Sequence, residues 1–175
     1  CGGPPRDEMA DGGESRLRIV VDAGIWIDLH FGGVLAEAFR LSDEFVSPDV
    51  ILAELVTVDP QVIIRHGCRV EHLTPDDYGT LQRLVTEHSG PSVSDLTALL
   101  ISMREGLMLL AGDSKLRKAA ETEGVEVHGI LWLLDRMIAE TVLSERKAAA
   151  ALRSMLDCDA RLPRDECERR LLKWG

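Results

Sequence analysis

What the chain has little of narrows it first. No apolar run approaches the roughly 18–20 residues that cross a bilayer, and no basic-then-apolar leader precedes the first hydrophobic segment, so a cytoplasmic protein with no membrane role is expected. Cysteine is sparse. Cys1, Cys68, Cys158 and Cys167 form no C-x-x-C pair and fall short of a disulfide scaffold, which argues against structural zinc and fits a reducing compartment. The five histidines are scattered without a pair at ligand spacing, so none is expected to hold a metal. Positive charge is short as well, with 20 Lys and Arg against 30 Asp and Glu and a formal net charge of −10. Broad nucleic-acid affinity depends on many Lys and Arg releasing counterions, so any contact with nucleic acid must be local. No segment repeats.

What is present is an ordinary globular composition: 175 residues, 45% hydrophobic and 29% charged, enough for one domain with a full core. Residues 1–16 are rich in Gly, Pro and charge, with almost nothing apolar to bury, and are expected to form a flexible arm in which Met9 is a candidate natural start. Leu17 to Val21 is a predicted strand running into Asp22. Ile25, Trp26 and Leu29, then Val34, Leu35, Ala38 and Phe39, predict helix broken near Gly32-Gly33. Ser47-Pro48 reads as a helix start leading to Ile51, Glu54 and Leu55.

A short helix over 60–66, a strand within 68–73 and a helix from Thr74-Pro75-Asp76-Asp77 to about Glu87 follow. Ser94-Asp95 opens an amphipathic helix that ends near Gly106, and Leu107 to Ala111 is a fully apolar run, hence a central buried strand. Helix over 113–123, a short strand at 125–127 and helices over 130–138, 144–156 and 163–173 complete the chain. Alternating strands and helices imply α/β architecture: a mostly parallel sheet of four to five strands flanked by helices in three layers, with a helical C-terminal tail. The expected division is an arm at 1–16, a domain at 17–140 and a helical extension at 141–175 packed on it.

The chemistry gathers at acids placed where elements end. Asp22 and Asp113 follow strands, so both belong to the carboxyl edge of the sheet, where open α/β sheets bind ligands. Asp95 lies in a first helical turn, preset by Ser94, and Glu54 sits on the helix after Ser47-Pro48. Carboxylates ~5 Å apart repel by roughly 3 kcal/mol per pair at an effective dielectric of ~20. A convergent set must therefore take up protons or hold a hard divalent cation, Mg²⁺ or Mn²⁺ rather than zinc. Such a cation polarises a phosphodiester and lowers the pKa of a bound water, so phosphate-ester hydrolysis is the natural reaction.

Four stretches in order carry a resemblance: Val21-Asp22-Ala23-Gly24-Ile25-Trp26-Ile27-Asp28-Leu29, Leu52-Ala53-Glu54-Leu55, Ser94-Asp95-Leu96-Thr97-Ala98-Leu99-Leu100, and Leu110-Ala111-Gly112-Asp113-Ser114-Lys115-Leu116-Arg117-Lys118. Together with the later Gly124 to Leu134 segment they resemble PIN-domain ribonucleases, over about residues 17–140, and the tail is similar to the extension of some VapC-like toxins. The resemblance implies a PIN-like fold and a metal-dependent endoribonuclease in which Asp22, Glu54, Asp95 and Asp113 hold Mg²⁺ or Mn²⁺ and orient the attacking water. It further implies a single-stranded or structured RNA substrate, a protein antitoxin as partner, and a homodimer. Asp28 is a candidate outer-shell acid, and Ser114 could supply a hydroxyl. Lys115, Arg117 and Lys118, just past Asp113, are candidate RNA contacts. The chain departs from the family at Ala23-Gly24, where a hydroxyl or amide usually follows the first aspartate.

Two other readings compete. A catalytically weak PIN-like module that binds RNA or protein would fit Ala23-Gly24 and the acidic balance. A phosphatase using Asp22 as nucleophile would want a second Asp two residues on, and position 24 is Gly.

Overall fold

The structure, a computed structural model, describes residues 16–175. The expected N-terminal arm therefore lies almost wholly outside the described residues. β1 (Arg18–Val21) is the centre of the sheet, with Ile19, Val20 and Val21 fully buried. It pairs in parallel with β2 (Glu44–Pro48) through Val20↔Val46 and with β4 (Met108–Leu110) through Val20↔Leu109. β3 (Arg69–Glu71) and β5 (Val127–His128) form the edges, giving the order β3-β2-β1-β4-β5, all parallel. Five parallel strands flanked by helices meet the expected α/β class at the upper end of its strand count.

Each crossover is helical. α1 (Ala23–Phe31) follows β1 and buries Ile25, Trp26 and Leu29. It stops before Gly32-Gly33, where Gly33 takes a positive φ of 64° that only glycine adopts without strain, and α2 (Leu35–Ala38) resumes beyond. α3 (Asp49–Glu54), α4 (Pro60–Arg65) and α5 (Asp77–Glu87) precede α6 (Val93–Glu105), which lies across β1, β2 and β4 with Leu96, Leu99 and Leu100 buried. α7 (Ser114–Thr122) and α8 (Ile130–Ala139) flank β5. α3, α5 and α7 join α6 in one layer, while α1 and α8 contact each other in the other. α9 (Glu145–Asp157) packs on α1 and α8, and α10 (Arg164–Trp174) packs on α9.

The helix expected from Ser47 begins two residues later, because Ser47 and Pro48 are the last residues of β2 and Pro48 is the N-cap of α3. The reason is a tertiary contact. Ser47 is fully buried, donates from Oγ to the Val21 carbonyl at 3.2 Å and accepts from Trp26 Nε1 at 3.3 Å. That bond ties β2 to β1 and satisfies the indole of a fully buried tryptophan, whose ring stacks on Phe39 at 5.7 Å. Trp26 is thus a core residue.

Candidate active site

β1 and β4 are neighbours in the sheet, but the chain leaves β1 toward β2 and β3 and returns to β4 and β5 on the other side. The reversal opens a crevice at their carboxyl ends, the place where ligands bind in open α/β sheets. Asp22 stands there. Its N–H continues the ladder to the Leu110 carbonyl at 3.0 Å, which fixes the backbone, and it is the N-cap of α1 without a side-chain capping bond. The residue is 4% exposed, and Oδ1 is a buried oxygen with no hydrogen-bond partner among the described residues. An orphaned acceptor of this kind costs about 1–3 kcal/mol, and more when charged.

Asp22 lines a cleft of about 570 Å³ together with Asp28, Asp95, Asp113 and Ser114. Asp95 is the third residue of α6 and belongs to a reciprocal capping box: Ser92 N–H donates to Asp95 Oδ2 at 2.8 Å, and Asp95 N–H donates to Ser92 Oγ at 3.1 Å. Asp113 is the N-cap of α7, where Oδ2 accepts from the N–H groups of Lys115 and Leu116 at 3.1 and 2.9 Å. Each uses one oxygen as a helix cap and keeps Oδ1 without a hydrogen bond among the described residues. Capping and ligation are therefore compatible here: the cap bonds hold the carboxylates still, and the second oxygens stay available.

Ser94, expected to preset Asp95, does something else. Its hydroxyl donates to Glu54 Oε1 at 2.7 Å, and Ser92 is the residue that caps. Glu54 ends α3 in an exposed position and is not among the side chains that wall the cleft. Of the four expected acids the structure thus brings Asp22, Asp95 and Asp113 around one cleft, and holds Glu54 through the neighbour of Asp95. Asp28 joins the group because Gly24, Ile27, Asp28 and Phe31 recur at helical spacing along the cleft face of α1, while Ile25, Trp26 and Leu29 face the core.

The electrostatics match the geometry. Burial pushes the Asp22 carboxyl up to about 7, reinforced by the Asp95 charge and then Asp113, against partial relief from the N–H groups of Ala23 and Gly24. Burial also raises Asp28 to about 6. An all-oxygen donor set, an orphaned buried oxygen and mutual repulsion fit a hard divalent cation, which would satisfy all three at once. Neither Ala23 nor Gly24 offers a hydroxyl, but Ser114 stands on the cleft wall.

The candidate RNA contacts separate. Arg117 lines a hollow that adjoins the cleft, Lys115 lines a different one with Glu87 and His88, and Lys118 stands between and lines both. In the sequence Arg161 belongs with Arg164, Arg169, Arg170 and Lys173 to a tail of mixed charge that reads as pairing with Asp165, Glu166 and Glu168 rather than as contacting RNA. Arg161 sits in the connection between α9 and α10, whose residues 158–162 form one wall of the cleft, and no local pattern marks it because only the docking of α9 on α1 brings it there. Elsewhere, Glu87, His88 and Glu123 place ligand-type atoms within 4.8 Å of one another. Arg83 donates to both Glu123 oxygens at 3.1 and 2.9 Å and, with His88, holds that carboxyl down to about 2, so a guanidinium already neutralises this group.

The fold and cleft agree with comparison to known proteins. The family model DUF3368, described as a PIN domain, matches residues 18–175, and the chain belongs to that family, whose members are generally nucleases. Two solved structures share the fold with a TM-score of 0.50 each. One is a PilT N-terminus domain protein, SSO1118, from Sulfolobus solfataricus, at 17% identity over 70% of this chain and 94% of that one. The other is PAE2754 from Pyrobaculum aerophilum, at 18% identity over 78% of this chain and 99% of that one. Among curated proteins none matches. Among the described residues, no helix is long and apolar enough to cross a membrane.

Proposed function

We propose that the protein is a divalent-cation-dependent endoribonuclease that hydrolyses RNA phosphodiester bonds in the cleft between β1 and β4. The observation that carries the reading is the buried, unpartnered Oδ1 of Asp22 in a cleft shared with Asp95 and Asp113. Mg²⁺ or Mn²⁺ bound there supplies charge neutralisation at the scissile phosphate and acidifies a water. Asp22, Asp95 and Asp113 would hold it through the oxygens not used as caps, and Glu54, braced by Ser94 outside the cleft lining, is the fourth acid of the set. Asp28 and Ser114 face the same space and orient water or phosphate oxygens.

Within this reading the protein is the toxin of a toxin–antitoxin pair, a VapC-like dimer restrained by a protein antitoxin; the PIN-family membership supports the nuclease half of that statement. The test is cleavage of a labelled single-stranded RNA in EDTA, Mg²⁺ and Mn²⁺. Wild type is expected to cut only with the metal, and Asp22→Asn and Asp113→Asn to lose roughly 100-fold or more of the rate, the scale of removing a positioned electrostatic group. Equal cleavage by all three proteins would remove the reading.

A further inference from the structure

The acid-lined cleft does not end at its acids. Gly112 and Arg161 are shared with two neighbouring hollows. One, of about 260 Å³, runs past Arg117 and Gly129 to the stacked rings of His128 and Trp132, which lie 4.6 Å apart at 14°. The other, of about 560 Å³, passes over Ser114, Arg117 and Lys118. The three form one groove leading away from Asp113. Several arginines of the chain are held by acids. Arg170 also reaches the groove, but Asp135 and Glu166 hold it at 2.6 and 3.1 Å, as acids hold Arg83 and Arg104. The side chains of Arg117 and Arg161 make no hydrogen bond or ion pair among the described residues.

Two glycines shape the path. A Cβ on Gly129 would stand 3.2 Å from a terminal guanidinium nitrogen of Arg117, so the bare backbone lets that guanidinium lie over the turn between β5 and α8. A Cβ on Gly112 would meet nothing within 4 Å, so the saddle between the cleft and the hollows is open floor.

We propose that this groove is the track for the phosphodiester backbone flanking the bond to be cut, with Arg117 and Arg161 clamping a phosphate beside the acid cleft. The proposal rests on the nuclease reading and extends it to how the substrate is held. In a chain of net charge −10 a polyanion is repelled from most of the surface, and two unneutralised guanidiniums beside the acids are where that repulsion reverses. A guanidinium fits phosphate oxygens two at a time, which a lysine does not. Glu121 and Glu166 border the strip and keep it narrow, which suits one strand rather than a duplex.

The experiment measures binding of a fluorescein-labelled single-stranded RNA of about 12 nucleotides by anisotropy across a salt series in Mg²⁺, using full-length Asp22→Asn protein so that the strand stays intact. Adding Arg117→Ala and Arg161→Ala together is expected to weaken binding about 10-fold or more and to remove about 0.7 from the log–log salt slope, the share of the one phosphate the pair holds. Gly112→Leu, which places a side chain in open space, is expected to weaken binding with the unfolding temperature unchanged. Absence of measurable binding before the arginines are removed, or the same affinity and slope afterwards, overturns the proposal. Cleavage is read separately. Metal-dependent cutting by an Arg117→Ala/Arg161→Ala protein that binds like its parent means the track is wrong and the nuclease stands. Arginine-dependent binding with no cutting by wild type means the reverse.

Discussion

Asp22 must be held by the backbone, desolvated by the core and still left with a free oxygen, and a cation reconciles the three. Without one, the charge is costly, and this has a sign. A carboxyl raised to about 7 keeps its proton in the folded protein after the unfolded chain has lost it, so stability falls as pH rises between the ordinary aspartate value of 3.8 and 7. Asp28, raised to about 6, adds the same slope. Glu123, held down to about 2, acts the other way, but below its ordinary value of 4.5. At ~1.4 kcal/mol per pH unit, the Asp22 contribution is on the order of 4 kcal/mol across its window. In EDTA the midpoint of urea unfolding is therefore expected to fall from about pH 5 to about pH 8, to flatten in Asp22→Asn, and to recover with Mn²⁺ at the higher pH. A wild-type midpoint that rises over this interval contradicts the account. Gly24→Ser bears on the same carboxylate. A Cβ at position 24 would lie 3.8 Å from Asp22 Oδ2, so a serine hydroxyl can donate to it, and a shallower pH slope is the expected result.

At the scale of elements, caps and strand ends do the positioning. Ser92→Ala removes one half of the capping box and is expected to cost about 1 kcal/mol of stability, measured by chemical denaturation, while loosening Asp95. Ser47→Ala leaves the buried Trp26 indole N–H without its acceptor, and a loss of roughly 1–3 kcal/mol is expected. These two serines also mark what a sequence can and cannot show. β1 and β4 are legible because an apolar run ending in Asp is a local signal, and Asp22 and Asp113 follow from it. The cap of α6 is legible too, in Ser92-x-x-Asp95, although Ser94 stands nearer and draws the eye. β2 is not. Ser47-Pro48 has the composition of a helix start, and what makes Ser47 a strand residue is its bond to Val21 and Trp26, 26 and 21 positions away. Glu54 illustrates the same limit from the other side: its position on a helix is readable, its turn toward Ser94 rather than into the cleft is not.

At the scale of the molecule, the C-terminal helices complete the site through the connection between them, which brings Asp159 as well as Arg161 to the cleft wall. α9 lays Ala148, Ala151, Leu152 and Met155 into the core against α1 and α8, and the connection that leaves it carries residues 158–162 to the cleft wall. Gly32, at the C-cap of α1, is where this docking is tightest. A Cβ there would stand 2.5 Å from the Met155 terminal methyl, 3.4 Å from Ala151 Cβ and 3.3 Å from the Asp28 carbonyl. Its φ of −72° is ordinary for any residue, so a substitution at Gly32 acts through packing and not backbone strain. Met155 can swing its methyl aside for an alanine. A leucine has nowhere to go without moving α9, and forced overpacking costs about 1–3 kcal/mol. Gly32→Leu is therefore expected to lower the unfolding midpoint and, because Arg161 lies in the connection that leaves α9, to weaken single-stranded RNA binding although position 32 is not part of the groove. Gly32→Ala is expected to do neither to a comparable degree. If Gly32→Leu loses stability but binds RNA as wild type does, the connection holds its place without α9, and the coupling between the tail and the cleft is refuted at its source.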